Sequence, residues 1–308
     1  MARAAGLLAI AALLGVPFLA AGAPVAAASV RGTTTVVAAG DVACKPPVVL
    51  SRVECSQGRT AALVQRINPS AVLMLGDAQD KFGTIGEFHA RNAYVDTWGR
   101  FLGRTIPVAG NHDWMTAGAA GYRLVFADRT GGRFYHSRDL RNGWRLIGLD
   151  SNCVQVGGCS TSSPQARFLR RDLAANDGRP TIVIWHHPRW SSGQQGDNPA
   201  VDALWRIAVG DRDVQLVLNG HDHDYERMKP ISPTGAVSAS GARMFVVGTG
   251  GAFLTRRLSG LDPRSATFSS AAHGVLQLTL RPDGYDWRFR AARGALTDWG
   301  SSPLRPRG

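Results

Sequence analysis

Lysine is almost missing from this chain: it occurs only at positions 45, 81 and 229. Arginine therefore carries nearly all of the positive charge behind a net +12. Such a balance draws anionic partners. Yet there is no dense Lys/Arg run and no basic strip interleaved with aromatics, so no specific nucleic-acid motif is read. Beyond the first residues, no apolar run is long enough to span a bilayer. The glycine cluster Gly248-Thr249-Gly250-Gly251 lacks the Lys-Ser/Thr that a phosphate-cradling P-loop requires, which leaves nucleoside-triphosphatase chemistry unsupported. It is read as a tight strand-ending turn. No internal repeat or low-complexity linker interrupts the chain.

Cysteine is also scarce, with four residues in two near pairs, Cys44 with Cys55 and Cys153 with Cys159. Both pairs sit in Gly/Pro/Ser-rich loops, and local disulfides are the expected pairing. A thiolate metal ligand at Cys44, near Asp41, is the alternative. Disulfides suit an exported protein, and the N-terminus agrees. Arg3, an apolar stretch from Leu7 to Leu14 and Ala26-Ala27-Ala28 before Ser29 have the layout of a secretory signal. Gly15, Pro17 and Gly22 break that stretch, and no Arg-Arg pair precedes it, so Sec-type export without a retained membrane span is expected. The organisation expected is a signal peptide at 1–28, one α/β domain at 29–300 and a frayed tail at 301–308.

What the chain does have is a series of apolar runs that each end in a metal-capable side chain. Val36–Ala39 leads to Gly40-Asp41, and Ala71–Leu75 leads to Gly76-Asp77 with Asp80 beyond. Ile106–Ala109 leads to Gly110-Asn111-His112-Asp113, and Thr181–Trp185 leads to His186-His187-Pro188. Val214–Leu218 leads to Asn219-Gly220-His221-Asp222-His223. Each run reads as a buried strand. Sites in open α/β sheets form beyond the carboxyl ends of strands. On an extended backbone His221 and His223 point to one side. A carboxylate can bridge two cations about 3.5–4 Å apart, and imidazoles suit ions such as Zn or Fe, with carboxylates favouring harder ions such as Mn. Together these point to metal-assisted hydrolysis of a phosphate ester.

These five blocks, in this order and spacing, resemble the calcineurin-like metallophosphoesterases. The extension Asp224-Tyr225-Glu226-Arg227 and the segment Arg189-Trp190-Ser191-Ser192 are similar to the purple-acid-phosphatase branch. The resemblance runs from about Thr33 to about Trp287. It implies a four-layer α/β/β/α sandwich of two mixed sheets; periodicity alone gives only a single α/β domain. It implies a pair of divalent or mixed-valence ions drawn from Fe, Zn or Mn. Asp77 would bridge them, Asp41, His223 and Asp80 would complete one site, and Asn111, His186 and His221 the other. His112 would face the substrate phosphate rather than a metal, oriented by Asp113. The reaction implied is in-line attack of a metal-bound hydroxide on a small-molecule phosphate monoester.

The chain departs from that pattern in three places. Asp80 stands where purple acid phosphatases carry tyrosine, which implies a hard carboxylate ligand and no phenolate-to-iron colour. Ala43 replaces a histidine that many family members carry two residues after the first aspartate. The histidines that contact substrate after the fourth block are replaced by Gly193-Gln194-Gln195-Gly196, so Gln195 joins Tyr225 and Arg227 as a candidate substrate contact. Tyr225 and Arg227 are equally read as anchors of the histidine loop. His187 is read as structural, and His89, His136 and His273 as surface or packing residues.

Helices are expected at Arg59–Ile67, Gly86–Leu102, from Ser163-Pro164 to about Asn176, and at Pro199–Val209. Further strands are expected at Arg145–Leu149, Arg243–Val247, Val275–Leu280 and Asp286–Phe289. Two other functions are kept beside the monoesterase: a phosphodiesterase or nucleotidase using the same site, and a basic exported binding protein with a decayed metal site. No protein partner is inferred.

Overall fold

The computed structural model describes residues 1–2, 32–48, 54–257, 260–294 and 296–306. The apolar stretch and cleavage motif of the expected signal peptide lie outside the described residues. Among these residues the strands are β1 (Thr34–Ala39), β2 (Ala71–Leu75), β3 (Thr105–Val108), β4 (His136–Asp139), β5 (Arg145–Gly148), β6 (Thr181–Ile184), β7 (Val214–Asn219), β8 (Tyr225–Met228), β9 (Arg243–Val247), β10 (Ser265–Ser269), β11 (Gly274–Arg281), β12 (Gly284–Ala291) and β13 (Trp299–Pro303). The helices are α1 (Gln57–Ile67), α2 (Ile85–Phe88), α3 (Tyr94–Thr97), α4 (Ala120–Thr130), α5 (Pro164–Ala175) and α6 (Asp202–Gly210).

The strands form two mixed sheets, ordered β13-β12-β11-β1-β2-β3 and β10-β8-β9-β7-β6-β5-β4. In the first, β1, β2 and β3 run parallel; in the second, β5, β6, β7 and β9 do. Two-residue periodicity assigns the faces. Ile182, Ile184, Leu216, Leu218, Phe245 and Val247 join the core that contains β1, β2 and β11. The intervening Val183, Val217, Met244 and Val246 pack with Leu169, Leu173, Leu204 and Trp205 from α5 and α6. The first sheet is covered on its outer side by α1 against β11 and α4 against β3, so the order is helix, sheet, sheet, helix, as the resemblance implied.

Local chemistry explains the elements that match expectation. Ser163 Oγ accepts from Ala166 N at 3.2 Å and Pro164 opens α5, the pairing of cap and first-turn proline that starts a helix. The helix expected across Gly86–Leu102 is instead α2, α3 and a 3₁₀ segment at Trp98–Arg104. Asn92 adopts φ 61°, Gln57 Nε2 donates to its carbonyl at 3.0 Å, and Asp96 Oδ2 accepts from its amide at 2.8 Å. A long-range contact thus breaks what local spacing would continue. The expected frayed tail at 301–308 is corrected over its described residues: Ser301, Ser302 and Pro303 pair with Asp286, Tyr285 and Gly284 in β13, and 307–308 lie outside the described residues. Arg305 then donates to the carbonyls of Val209, Asp211, Val214 and Ser240. Both sets of partners are distant in sequence, so no local pattern signals them.

Candidate metal centre and active-site cleft

Three donors are placed by one repeated device. Each of β1, β2 and β7 is followed by a glycine and then by a donor in the left-handed region: Asp41 at φ 55°, Asp77 at φ 47° and His221 at φ 73°. Non-glycine residues rarely adopt this conformation, and such strain concentrates at functional sites. The tight turn drives each side chain back across the strand ends. Backbones come so close that β-carbons would not fit: one on Gly76 would fall 2.4 Å from His186 Nδ1, and one on Gly220 would fall 2.7 Å from Asp41 Oδ2.

The two sheets are joined at this point by the donors themselves. His186, at the end of β6, donates from Nδ1 to Leu75 O at 2.8 Å, across to β2. Its Nε2 then lies 3.2 Å from Asp77 Oδ2 and 3.1 Å from Asn111 Oδ1. His223 repeats the pattern. Its Nδ1 donates to Phe253 O at 2.6 Å, and Nε2 lies 3.4 Å from Asp41 Oδ1. A carbonyl only accepts, so Nδ1 keeps its proton in both rings and Nε2 is the inward nitrogen whose proton a bound cation would displace, the arrangement of a metal-ligating histidine. His221 is tied by its amide to Asp41 Oδ2 at 2.9 Å.

Sets of ligand atoms within 4.8 Å of one another are Asp41/Asp77/His186, Asp77/Asp80/His112 and His186/His187/His221. Asp77 belongs to two of them. Asp41 is buried and its Oδ1 has no hydrogen-bond partner, a cost that a cation would remove. Burial, with the Asp77 and Asp41 carboxylates, pushes Asp80 up to about 6 against the pull of His112. Burial opposes charge on His186, but Asp77 and Asp41 outweigh it and hold the imidazole up to about 10. Burial, His186 and His187 push His221 down to about 2. Orphaned oxygen, inward ring nitrogens and crowded carboxylates fit a pair of cations.

The third block differs from expectation in one residue. His112 Nδ1 donates to Lys81 O at 2.7 Å, and its Nε2 lies 3.4 Å from Asp80 Oδ1. Asp113 does not orient this ring. It is fully buried, and its Oδ2 accepts from Gly110 N at 2.8 Å and Asp77 N at 3.1 Å. Adjacent residues leave the turn in different directions, so Asp113 fixes the loops under the donors while the Lys81 carbonyl and Asp80 position His112.

The other candidates fall into two groups. Tyr225 is buried and donates to Asp298 Oδ2 at 2.6 Å, and Arg227 donates to both oxygens of Asp298 at 2.8 and 2.9 Å. Their polar atoms hold β8 to the segment before β13, as the anchoring alternative describes. Gln195 donates its amide to Asp222 Oδ1 at 2.6 Å and its side chain is exposed. Cys44–Cys55 and Cys153–Cys159 are both disulfide-bonded, so Cys44 is not a thiolate ligand.

A cleft of about 630 Å³ opens over the centre, lined by the Cys44–Cys55 disulfide, Lys45, Glu54, Lys81, Asp80, His112 and Phe253. Two of the chain's three lysines therefore stand at one cleft, a clustering hidden until the fold brings positions 45 and 81 together. The His187 ring packs beside the site, its centroid 4.3 Å from that of His221. Ser151 Oγ and His187 Nδ1 are 2.7 Å apart.

Comparison with known proteins places this geometry. Two uncharacterized proteins of Mycobacterium tuberculosis, MT2654 and Rv2577, are each 28% identical over 209 residues, which is 56% of this chain and 37% of theirs. The chain thus matches little more than a third of the length of these curated relatives. Among solved structures, a purple acid phosphatase from yellow lupin seeds superposes with a TM-score of 0.67 at 19% identity, over 88% of this chain and 54% of that one. GAP50, the anchor in the inner membrane complex of Plasmodium, gives 0.67 at 15% identity over 90% of both chains. A dimetal phosphatase from Danio rerio gives 0.58 at 14% identity, over 88% of this chain and 99% of that one. At these identities the likeness is one of fold. Among the described residues no helix is long and apolar enough to cross a membrane. Residues 34–225 match the family described as calcineurin-like phosphoesterase, and the chain belongs to that family.

Proposed function

We propose that this protein is an exported phosphomonoesterase that works with two bound metal ions. The observation that carries the reading is the convergence of two sheets' strand ends on Asp77, with His186 Nε2 3.2 Å from its carboxylate and Asp77 shared by two donor sets. Asp77 would bridge the ions; Asp41, His223 and Asp80 would hold one, and Asn111, His186 and His221 the other. Bound there, such ions polarise phosphoryl oxygens and lower the pKa of water.

The chain's own residues do the rest. His112 keeps its Nδ1 proton on the Lys81 carbonyl, so Nε2 is the atom that exchanges a proton with the leaving oxygen. Asp80 Oδ1 lies 3.4 Å from that atom and helps to aim it. Lys45 and Lys81 line the cleft beside Glu54 and Asp80, so two cations stand where a phosphate ester would enter. The lupin and zebrafish proteins of like fold are named as phosphatases, which supports this reading. The two disulfides support an extracytoplasmic location. The diesterase or nucleotidase reading draws on Phe253, an exposed ring 4.8 Å from His223 that offers a stacking surface for a base.

Elemental analysis of the purified protein, paired with turnover of a monoester and its matched diester, tests the proposal. It expects close to two transition-metal ions per chain and faster monoester turnover. Faster diester turnover would move the second reading ahead. No bound metal after reconstitution with Mn, Zn or Fe, and no turnover, would leave a binding protein.

A further inference from the structure

Beside the metal cleft lies a second, open cavity of about 670 Å³ whose arginines are exposed. Its lining includes Arg59, Arg256 and Arg293, and no carboxylate. These guanidiniums come from three separate stretches: α1, the loop after β9, and the turn after β12. None forms an ion pair with a described residue. That differs from Arg145, Arg189, Arg227, Arg264 and Arg281, each of which is matched to an aspartate. Ser56, the N-cap of the eleven-residue α1, also lines the cavity, and its hydroxyl caps no amide. The positive end of the helix therefore adds to the arginines. Ser270 supplies a further hydroxyl.

One loop separates this cavity from the metal cleft. Phe253 lines the cleft and Leu254 the cavity; likewise Cys55 lines the cleft and Ser56 the cavity. Neighbouring residues are about 3.8 Å apart along a chain, so the two spaces adjoin. The wall is pinned from both sides. His223 Nδ1 donates to Phe253 O at 2.6 Å, His273 Nε2 lies 2.8 Å from Ala252 O, and Ser56 N donates to Gly251 O at 2.7 Å. A ligand bound in the cavity would thus press on the loop that orients a metal-site histidine.

We propose that the arginine cavity is a second anion site, and that it receives a distal phosphoryl group carried on the leaving-group side of the substrate. The substrate class is then an ester with two phosphoryl groups. One lies over the metal centre, and the other meets Arg59, Arg256 and Arg293 through charge-assisted hydrogen bonds. The wall's exposed Phe253 lies under the part of the molecule between them. This rests on the phosphoesterase reading for the first phosphoryl group, while the anion site stands on the cavity alone.

The test compares two substrates that differ only in the leaving group: one bears a second phosphate, the other a hydroxyl at that place. Wild type is expected to favour the doubly phosphorylated ester by about tenfold or more in kcat/KM, mostly through KM. Combined Arg59→Gln, Arg256→Gln and Arg293→Gln substitutions should abolish that preference and leave the other ester's kcat/KM within about twofold. The single variants should each lose part of it, and they serve if the combined variant melts early. Titration calorimetry with inorganic tripolyphosphate gives a readout independent of turnover, with weaker binding expected in every variant. If neither ester is hydrolysed but tripolyphosphate binding falls in the variants, the phosphoesterase reading fails and the anion site stands. Equal substrate preference in wild type and variants, or equal tripolyphosphate binding, overturns the anion site.

Discussion

Gly110 lies so close over Asp77 that a β-carbon on it would fall 2.1 Å from Asp77 Oδ1 and 2.5 Å from its amide nitrogen. Neither the carboxylate nor the backbone has room to yield. Gly110→Ala should displace Asp77, lower the metal content and reduce turnover by about a hundredfold or more. Gly86→Ala, where the nearest heavy atom is 4.0 Å away, is the matched control and should leave both unchanged. Elemental analysis and activity of the two variants check this; a Gly110→Ala protein with full metal and normal rate would contradict the bridging role of Asp77.

His112 and Asp77 should separate by phenotype. His112→Ala leaves the proposed ligands in place, so metal is retained while turnover falls by about 10²–10⁴-fold. Asp77→Asn keeps the shape but removes the charge shared between two donor sets, so metal and activity should be lost together. Metal stoichiometry beside kcat distinguishes them.

Asp113→Ala should resemble a ligand-loop defect. It removes the acceptor for Gly110 N and Asp77 N, and leaving buried amides unpaired costs about 1–3 kcal/mol. Lower melting temperature and weaker metal retention are expected, with an unchanged pH profile in the activity that remains. A shifted profile with full metal would instead restore Asp113 as a partner of His112.

Asp298 gives a pH signature. Burial acts to raise its pKa, but bonds from Arg227 and Tyr225 outweigh that and hold the carboxyl below its ordinary value. A depressed folded pKa contributes stability that is present above the unfolded value of about 3.9 and is lost as pH falls through the folded one. Asp298→Asn should therefore be less stable than wild type at pH 7, by about 1.5–3 kcal/mol for hydrogen bonds to a charged group. The gap should narrow below about pH 4. Thermal melts at pH 7 and pH 3 measure it. Arg227→Gln should lower the melting temperature with KM unchanged, as suits an anchor rather than a substrate contact.

The sequence by itself determined the candidate donors and their order. Each of Asp41, Asp77, Asn111, His186 and His221 follows a buried strand at a turn, and strand period and turn chemistry are local properties written in consecutive residues. It also showed the helix start at Ser163-Pro164 and the local disulfide pairs. What only the tertiary structure decided depends on contacts between distant positions. Asn92 meeting Gln57 breaks the expected helix, and pairing with β12 orders Ser301–Pro303. Asp298 takes up Tyr225 and Arg227, and the Lys81 carbonyl rather than Asp113 sets the His112 ring. Lysines 45 and 81 at one cleft, and Arg59, Arg256 and Arg293 around one cavity, are of the same kind. A side chain's partner across the fold is set by how layers pack and where loops cross, and no window along the chain carries that information.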